Sequence, residues 1–376
     1  MKPLRDLADQ LASGTIRSRD LVEECLDNIE AEAGEGGRAF LAVYRERALA
    51  DAAWADRLRS QGNQYPQFLG IPVSIKDLFD EAGVVSRAGS RVLGDGAPAG
   101  RDAPVVASLR AAGFIIVGRT NMTEFAYSGL GLNPHYGTPL NPFDRETGRI
   151  PGGSSSGGAV SVTDSMAAAA LGTDTGGSCR IPAALCGIVG FKPTASRVST
   201  EGAVPLSPTL DSIGPLAGSV DCCRIMDGII SGEGSAAPVD REITGLRFVV
   251  PKSYVLEDLD DHVASSFERA LSRLSAAGAM IGERSFDDFL DLPEVNALGG
   301  FAAAEAFAWH RSLLAERGGE YDPRVSVRIK KGRSQNAADY IDLLGRRDRF
   351  IRSVKRQMAP FDAMLLPTVP QIAPTL

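Results

Sequence analysis

Hydrophobic positions recur at helical spacing near the start of the chain. The spacing predicts a helix from an N-capping Ser18 to about Glu30, with one apolar face. The residues of that face are Leu21, Val22, Cys25, Leu26 and Ile29. A second helix, rich in alanine and arginine, is predicted from Arg45 to about Arg59. The chain therefore opens with helical elements.

The pattern changes after these helices. The run from Leu69 to Lys76 predicts a short buried strand that ends at the lysine. Asp102 begins a further predicted helix that Gly113 ends, and residues 114–117 form a strand without a polar face. Helices that alternate with buried strands indicate an α/β fold, with a mixed central β-sheet sandwiched between α-helical layers.

Predicted helices and strands also alternate in the last third of the chain. The predicted elements there are a strand over Gly245–Pro251, helices over Val263–Ala277, Phe301–Arg317 and Ala337 to about Met358, and a strand from Ala363 to Leu366. Composition changes nowhere sharply enough to separate domains, and no repeat is present. We therefore expect one domain over residues 1–376.

Net charge narrows the classes of partner. The formal net charge is -7 and the pI is about 5.2. Nucleic-acid binding needs a basic face, so direct nucleic-acid binding is not expected, and neither is attraction to anionic membranes. No apolar run reaches the length of a membrane span, and residues 1–9 lack the apolar core of a signal peptide. The expected location is the cytoplasm.

The five cysteines show no spacing typical of a metal or redox site. They are Cys25, Cys179, Cys186, Cys222 and Cys223. We predict that they are buried, reduced side chains. The sequence also contains no phosphate-binding loop, no dinucleotide-binding loop and no metal-ligand pattern, so neither a cofactor nor a metal is expected.

Histidine-dependent hydrolysis has little support in the sequence. None of the three histidines, His135, His262 and His310, is placed on a loop beside a candidate nucleophile. The segment Gly153–Gly157 formally matches the G-x-S-x-G elbow of α/β-hydrolases, with Ser155 as nucleophile. That elbow follows a hydrophobic strand, whereas the residues before Gly153 have the composition of a loop.

Lysine is the remaining candidate base. Lys76 ends an apolar strand, where a lysine can either extend its amine to water or lose its proton in an apolar environment. Spacing alone leaves both interpretations open. The stretch from Gly148 to Gly177 is crowded with Gly, Ser, Thr and Ala, and glycine at this density permits unusual backbone angles. Residues 166–171 within this stretch are apolar, whereas a disordered linker would be more polar throughout. A disordered linker is therefore a poor interpretation.

Several segments together resemble the amidase signature family. The core of the resemblance is Gly152–Gly158 (GGSSSGG) followed by Leu171–Pro182 (LGTDTGGSCRIP). Further matching segments, in the same order, are Gly70–Leu78, Gly118–Ala126, Cys186–Thr194 and Thr209–Ala217. The signature core therefore spans residues 65–220. This multi-segment match is far more specific than any single motif.

The resemblance implies a Ser-Ser-Lys triad. Lys76 matches the base, Ser154 the bridging serine that usually follows a cis peptide, and Ser178 the nucleophile. The amides of Thr175, Gly176, Gly177 and Ser178 match the oxyanion hole. Ser155, Asp174 and Arg180 are implied to support the loop around the nucleophile, and Ala126 and Tyr127 to border the substrate pocket.

The expected reaction is hydrolysis of a small-molecule carboxamide. Neutral Lys76 can withdraw a proton from Ser178 through Ser154 and return it to the leaving amine. Because Gly176 and Gly177 carry no Cβ, their N–H groups can turn toward one carbonyl oxygen. An acyl-enzyme then forms and water hydrolyses it.

Three alternatives stay open. The same motifs occur in the amidotransferase subunit that supplies ammonia for indirect tRNA amidation. Members of the family continue beyond a segment like Leu365–Thr368, so this chain is either a shorter relative or a fragment, and a catalytically impaired fragment or scaffold is the second alternative. A strand that ends near Leu366 leaves an exposed sheet edge. We expect two chains to pair through this edge and form a homodimer. The third alternative is the histidine-dependent hydrolase.

Overall fold

The computed structural model describes residues 2–62, 64–234 and 241–376. These residues fall into two compact units. The first unit comprises residues 2–234, 312–326 and 375–376, and the second comprises residues 241–311 and 327–374. A single domain over the whole chain therefore stays a prediction.

The first unit contains a six-stranded mixed sheet in the order β1-β3-β2-β4-β6-β5. Its strands are β1 (Phe40–Val43), β2 (Pro72–Lys76), β3 (Ile115–Thr120), β4 (Ala169–Asp174), β5 (Val189–Gly190) and β6 (Ser212–Ala217). β2 lies between β3 and β4 and is parallel to both, whereas β1, β5 and β6 pair antiparallel. Lys76, at the end of β2, is thus at the carboxyl edge of the central parallel strands.

Helices surround these strands. They are α1 (Leu4–Ala12), α2 (Ser18–Glu30), α3 (Gly36–Ala39), α4 (Arg45–Ser60), α5 (Pro104–Ala111), α6 (Ser156–Thr163), α7 (Arg180–Cys186) and α8 (Val220–Ile230). Helix α6 packs against β2, β3, β4 and β6, while α4 contacts β3 and α8 contacts β6. The α/β fold with a mixed central sheet and helical layers is confirmed.

The second unit contains a parallel three-stranded sheet in the order β8-β7-β9. Its strands are β7 (Arg247–Pro251), β8 (Met280–Arg284) and β9 (Ala363–Met364). Further α-helices in the described part of the chain are α9 (Asp261–Ala276), α10 (Leu292–Val295), α11 (Gly300–Arg317), α12 (Pro323–Lys331) and α13 (Ala337–Met358). Val249, Phe286 and Phe289 form the core of this unit.

The start of α2 corrects one prediction. Ser18 is the first residue of the helix rather than its cap, and its side chain is buried. The cap comes from α4 instead, because the Asp56 carboxylate accepts the N–H groups of Ser18 and Arg19 at 2.8 and 3.0 Å. An acidic group at this position satisfies unpaired amides and favours the positive end of the helix dipole.

Other boundaries also differ from the predicted ones. Strand β2 begins at Pro72 rather than Leu69, and α5 begins at Pro104 rather than Asp102. Asp102 accepts the N–H of Ala82 instead, at 2.8 Å. The last strand is shorter than predicted and ends at Met364. None of the helices in the described part of the chain is long and apolar enough to cross a membrane.

Candidate active site

Lys76 is completely buried at the end of a central strand. All five residues of β2 are buried, because β3 and β4 flank the strand and helices cover it. The Nζ atom donates hydrogen bonds to Oγ of Ser154 at 2.7 Å and to Oγ1 of Thr173 at 2.8 Å. Burial disfavours the ammonium form and lowers the pKa of Lys76 to about 8. The lysine is therefore not one that extends to water.

Ser154 lies on a tightly packed loop before α6. The peptide bond between Gly153 and Ser154 is cis. The Ser154 carbonyl oxygen accepts the N–H of Thr123 at 3.1 Å. A Cβ on Gly153 would lie 2.6 Å from the backbone nitrogen of Gly131, so only glycine fits there. The loop thus brings the Ser154 hydroxyl to the buried amine.

Ser155 follows Ser154 directly and is hydrogen-bonded to two segments of the chain. Its N–H donates to the carbonyl oxygen of Ser178 at 3.2 Å, and its hydroxyl donates to the carbonyl oxygen of Thr173 at 3.4 Å. The side chain is fully buried, and loop residues rather than a strand precede it. The geometry of an α/β-hydrolase elbow is therefore absent at Ser155.

Ser178 lies on the short loop between β4 and α7. Its exposed fraction is 6%, in contrast to the fully buried Ser154 and Ser155. Asp174, the last residue of β4, accepts five hydrogen bonds from this loop and the start of α7. The donors are the N–H groups of Gly177, Cys179 and Arg180, and the Nε and Nη2 atoms of Arg180, at 2.7–3.3 Å.

The charge of Asp174 is stabilised by these donors. Burial alone would raise the pKa of Asp174, but the hydrogen bonds and charge of Arg180, with the amides of Cys179 and Gly177, outweigh it. The pKa of the carboxyl therefore lies below its ordinary value. The Asp174 side chain is fully buried, whereas 45% of the Arg180 side chain is exposed. This pair holds the shape of the loop and is not an ordinary surface ion pair.

The predicted oxyanion-hole amides differ in their surroundings. The N–H of Gly177 already donates to Oδ1 of Asp174 at 2.8 Å. Gly177 has a φ of +124°, which favours glycine. The hydroxyl of Thr175 donates to Oδ1 of Asp211 at 2.5 Å, and this fixes the preceding end of the loop.

A small cavity adjoins these residues. Its volume is about 70 Å³, and its lining includes Thr173 and Thr175. Most of the remaining lining is apolar: Leu78, Ala126, Ala203, Val204, Pro205, Leu206, Pro208 and Ile213. Asp211 and Thr200 complete it. Ala126 is among the lining residues of this cavity and Tyr127 is not. The role of both as substrate contacts stays a prediction.

Comparison with known proteins identifies the family. The family model described as Amidase matches residues 20–376. The chain belongs to the amidase family. This amidase is 36% identical over 334 residues to 2-amino-5-chloromuconic acid deaminase from Comamonas testosteroni, and the match covers 88% of this chain and 72% of the relative.

Two further comparisons agree. A glutamyl-tRNA(Gln) amidotransferase subunit from Chloroflexus aurantiacus (strain ATCC 29366 / DSM 635 / J-10-fl) is 35% identical over 398 residues, and the match covers 96% of this chain and 81% of the relative. A crystal structure described only as an amidase superposes with a TM-score of 0.92 at 33% identity, covering all of this chain and 84% of that one. The protein is an enzyme that hydrolyses carbon–nitrogen bonds.

The histidines of the amidase have other surroundings. Nε2 of His135 lies 2.8 Å from Oε1 of Glu124, a buried carboxylate. His262 is exposed at the start of α9, where its N–H donates to Asp260. His310 is buried in α11, and burial lowers its pKa to about 4. The described residues also include no group of three or more His, Cys, Asp or Glu side chains that could hold a metal ion.

Three residues of the amidase site were missed by the sequence analysis. Thr173 contacts the Lys76 amine, and Asp211 accepts the Thr175 hydroxyl. Glu124, two residues before Ala126, is hydrogen-bonded to Ser90, His135 and Asp322. All three lie inside segments that resemble the family: Leu171–Pro182, Thr209–Ala217 and Gly118–Ala126. That membership was the available signal, but it did not indicate what each side chain contacts.

Proposed function

We propose that this amidase cleaves small carboxamides with Ser178 as nucleophile, Ser154 as proton relay and Lys76 as base. The observation that carries the proposal is the 2.7 Å hydrogen bond between Nζ of Lys76 and Oγ of Ser154. A buried lysine with a pKa of about 8 is neutral in about a tenth of molecules at pH 7, against a much smaller fraction for an ordinary lysine, and a neutral amine is a base. The same residues match the triad of the family.

The proposed reaction has two steps. Lys76 takes the proton of Ser154 while Ser154 takes that of Ser178, and Oγ of Ser178 attacks the amide carbon. The proton then returns through Ser154 to the amide nitrogen, the carbon–nitrogen bond breaks, and ammonia or an amine leaves an ester on Ser178. Water, activated by the same lysine, hydrolyses this ester and regenerates the enzyme.

We propose that backbone amides stabilise the negative oxygen formed during the attack. The N–H groups of Thr175, Gly176 and Ser178 lie on the loop that Asp174 holds in place. Donors fixed before the reaction stabilise developing charge without reorganisation. A contribution from the Gly177 amide stays a prediction, because this amide donates to Asp174 in the present conformation.

The cavity supports a small, mainly apolar acyl group as the preferred substrate part. Its walls are mostly aliphatic, so a substrate carboxylate would lose its hydration there without compensation. Tyr127 as a substrate contact stays a prediction. A panel of aliphatic, aryl and acidic primary amides, assayed by ammonia release with Ser178→Ala as control, tests the proposal. A panel without any Ser178-dependent hydrolysis would contradict it.

An amidotransferase subunit is the second candidate. The resemblance to the glutamyl-tRNA(Gln) amidotransferase chain, which extends over 96% of this chain, favours it. This candidate predicts that glutamine releases ammonia only when partner subunits are added. Hydrolysis of simple amides by the chain alone, at rates that partner subunits do not change, would support the amidohydrolase instead.

We also propose a cytoplasmic location and leave a homodimer as a prediction. Five buried free thiols support a reducing compartment. Light scattering after size-exclusion chromatography measures the assembly state, and a mass of one chain, 39.7 kDa, would contradict the dimer.

A further inference from the structure

The Lys76 amine has two hydrogen-bond partners among the described residues, Ser154 and Thr173. A neutral amine has two N–H donors and one lone pair. To accept the proton of Ser154, the nitrogen must aim its lone pair at that hydroxyl, so an N–H group must point elsewhere. Oγ1 of Thr173, at 2.8 Å, is an acceptor placed for that N–H.

We propose that Thr173 is a positioning residue that holds the Lys76 amine with its lone pair directed at Ser154. This inference rests on the proposed function and extends it to a residue outside the predicted triad. In this role the Thr173 hydroxyl acts through Lys76 rather than on the reacting atoms, so Thr173 is not a catalytic residue. Its hydroxyl accepts an N–H from the lysine in both the neutral and the protonated form, and the amine therefore keeps its orientation throughout the cycle.

The position of Thr173 suits this task because its backbone is fixed. It lies in β4, in which every residue is buried, and it pairs with Ile213 of β6. Its carbonyl oxygen accepts the hydroxyl of Ser155 at 3.4 Å. Threonine is β-branched, and its side chain has few alternative rotamers. A rigid acceptor on a strand orients a flexible lysine better than a loop residue or a water does.

The contact also explains how the lysine tolerates its burial. A buried N–H without an acceptor is costly, and Lys76 lies at the end of a fully buried strand. Ser154 accepts one N–H in the resting structure, but it cannot do so at the moment when it gives its proton to the nitrogen. Thr173 is the partner that remains during that step.

The test compares three side chains at position 173. Thr173→Val keeps the shape and removes the acceptor, whereas Thr173→Ser keeps the acceptor and removes a methyl group. Thr163→Val on α6, where the hydroxyl donates only to Val160 and Asp164, is the matched control for the same chemical change. For each variant, kcat, KM, the pH profile of kcat/KM and the melting temperature are measured on an amide that the parent hydrolyses.

We expect Thr173→Val to lower kcat about 100-fold with KM within about threefold of the parent, since misplacing a reacting group by an ångström costs about that much. Its pH profile should move to lower pH, because the ammonium form loses an acceptor. Thr173→Ser should recover kcat to within about fivefold of the parent. Where Val reduces the yield of folded enzyme, Thr173→Cys, whose sulfur is a weak acceptor, replaces it.

Other outcomes overturn the inference. An unchanged kcat and pH profile in Thr173→Val would show that the hydroxyl does not orient the amine. Equal losses in Val and Ser would indicate packing instead. Ser178→Ala and Lys76→Ala are assayed alongside: if either stays active, the proposed function itself fails, and if both are inactive while Thr173→Val is normal, only the role of Thr173 fails.

Discussion

His135 and Glu124 form a hydrogen-bonded pair beside the cavity wall, with 2.8 Å between Nε2 and Oε1. Glu124 is fully buried and also accepts the Ser90 hydroxyl and the N–H of Asp322, both at 2.7 Å. Phe125 and Ala126 follow it with φ values of 50° and 59°, a conformation that costs about 1–3 kcal/mol per residue and needs support from its surroundings. His135 therefore helps to fix the Glu124 side chain, two residues before Ala126.

This pair leads to a prediction about the histidines. His135→Asn should lower the free energy of unfolding by about 1.5–3 kcal/mol, the range for a hydrogen bond to a charged group, while kcat stays within a few-fold of the parent. His262→Gln and His310→Gln should also retain most activity. Denaturant unfolding and steady-state kinetics measure both quantities. A folded but inactive His135→Asn would argue directly against a lysine base.

The nucleophile is tested by removing its hydroxyl. Ser178→Ala should lower kcat by about 10⁴-fold or more, because members of one catalytic unit fail together. A fluorophosphonate should label Ser178 in the parent, and peptide mass spectrometry locates the adduct. Ser155→Ala, which leaves the Ser178 hydroxyl in place, should still be labelled. An adduct on Ser155 in the parent would refute the assignment.

The lowered pKa of Lys76 leads to a prediction about how activity depends on pH. Its pKa is lowered from 10.5 to about 8, and only the neutral amine is a base, so kcat/KM should rise about tenfold per pH unit below 8 and level off above it. An inflection of the kcat/KM profile near pH 6.5, the ordinary pKa of histidine, that disappears in one of the histidine variants would indicate a histidine base instead.

The same lowered pKa affects stability. Between pH 8 and 10.5 the folded chain binds fewer protons at Lys76 than the unfolded chain, so stability should rise with pH across this window. Below pH 8 the buried ammonium costs about 3 kcal/mol, from the 1.36 kcal/mol of each pKa unit. Lys76→Met should therefore be inactive yet melt no lower than the parent at pH 7. A large loss of melting temperature would show that the lysine is structurally required.

The contacts of Asp174 lead to a prediction about the loop of residues 175–179, which carries Ser178 and is called the nucleophile loop. Asp174→Asn replaces an acceptor oxygen by an NH₂ group, which opposes the N–H donors of the loop, and should lower kcat by about 10²–10³-fold, as loss of an oxyanion-hole donor does. Arg180→Lys keeps the charge but loses the paired contact, so its effect should be smaller. The pKa of Asp174 is lowered, so its stabilisation is present above pH 3.8 and is lost as the pH falls further.

In these variants, kinetics at neutral pH and acid unfolding curves provide the measurements. The free energy of unfolding of Asp174→Asn should change less with pH below 3.8 than that of the parent. Full activity in this variant would show that the loop keeps its shape without the carboxylate.

Elements with a local apolar pattern were predictable from the sequence. The helices at Arg45 and Ala337 follow the predicted ranges closely. Strands β4 and β6 were missed, because Ala, Gly, Ser, Thr and Pro are common in them and no run of large apolar residues marks them as it marks β3. The cap of α2 was missed for another reason: Asp56 reaches it from a different helix.

Some residues of the candidate site were also predictable from the sequence, and others were not. The resemblance indicated Lys76, Ser154 and Ser178, and the first two lie in hydrogen-bonding contact although 78 positions separate them. Thr173 was not singled out, although it lies in a recognised segment. Its contact with Lys76 is set by how β4 lies beside β2 and the loop before α6, and a single sequence carries no local sign of such a contact.

The five donors collected by Asp174 mean that the nucleophile loop has its shape before any ligand arrives. A tetrahedral adduct therefore needs little rearrangement of the protein, whereas a planar amide must itself distort to reach the proposed oxyanion-hole amides of Thr175, Gly176 and Ser178. Small alkyl boronic acids become tetrahedral on a serine oxygen, so they should bind to this preformed loop more tightly than planar amides do. Their affinity relative to amides of equal chain length would measure how much of the rate enhancement is already present in the empty enzyme.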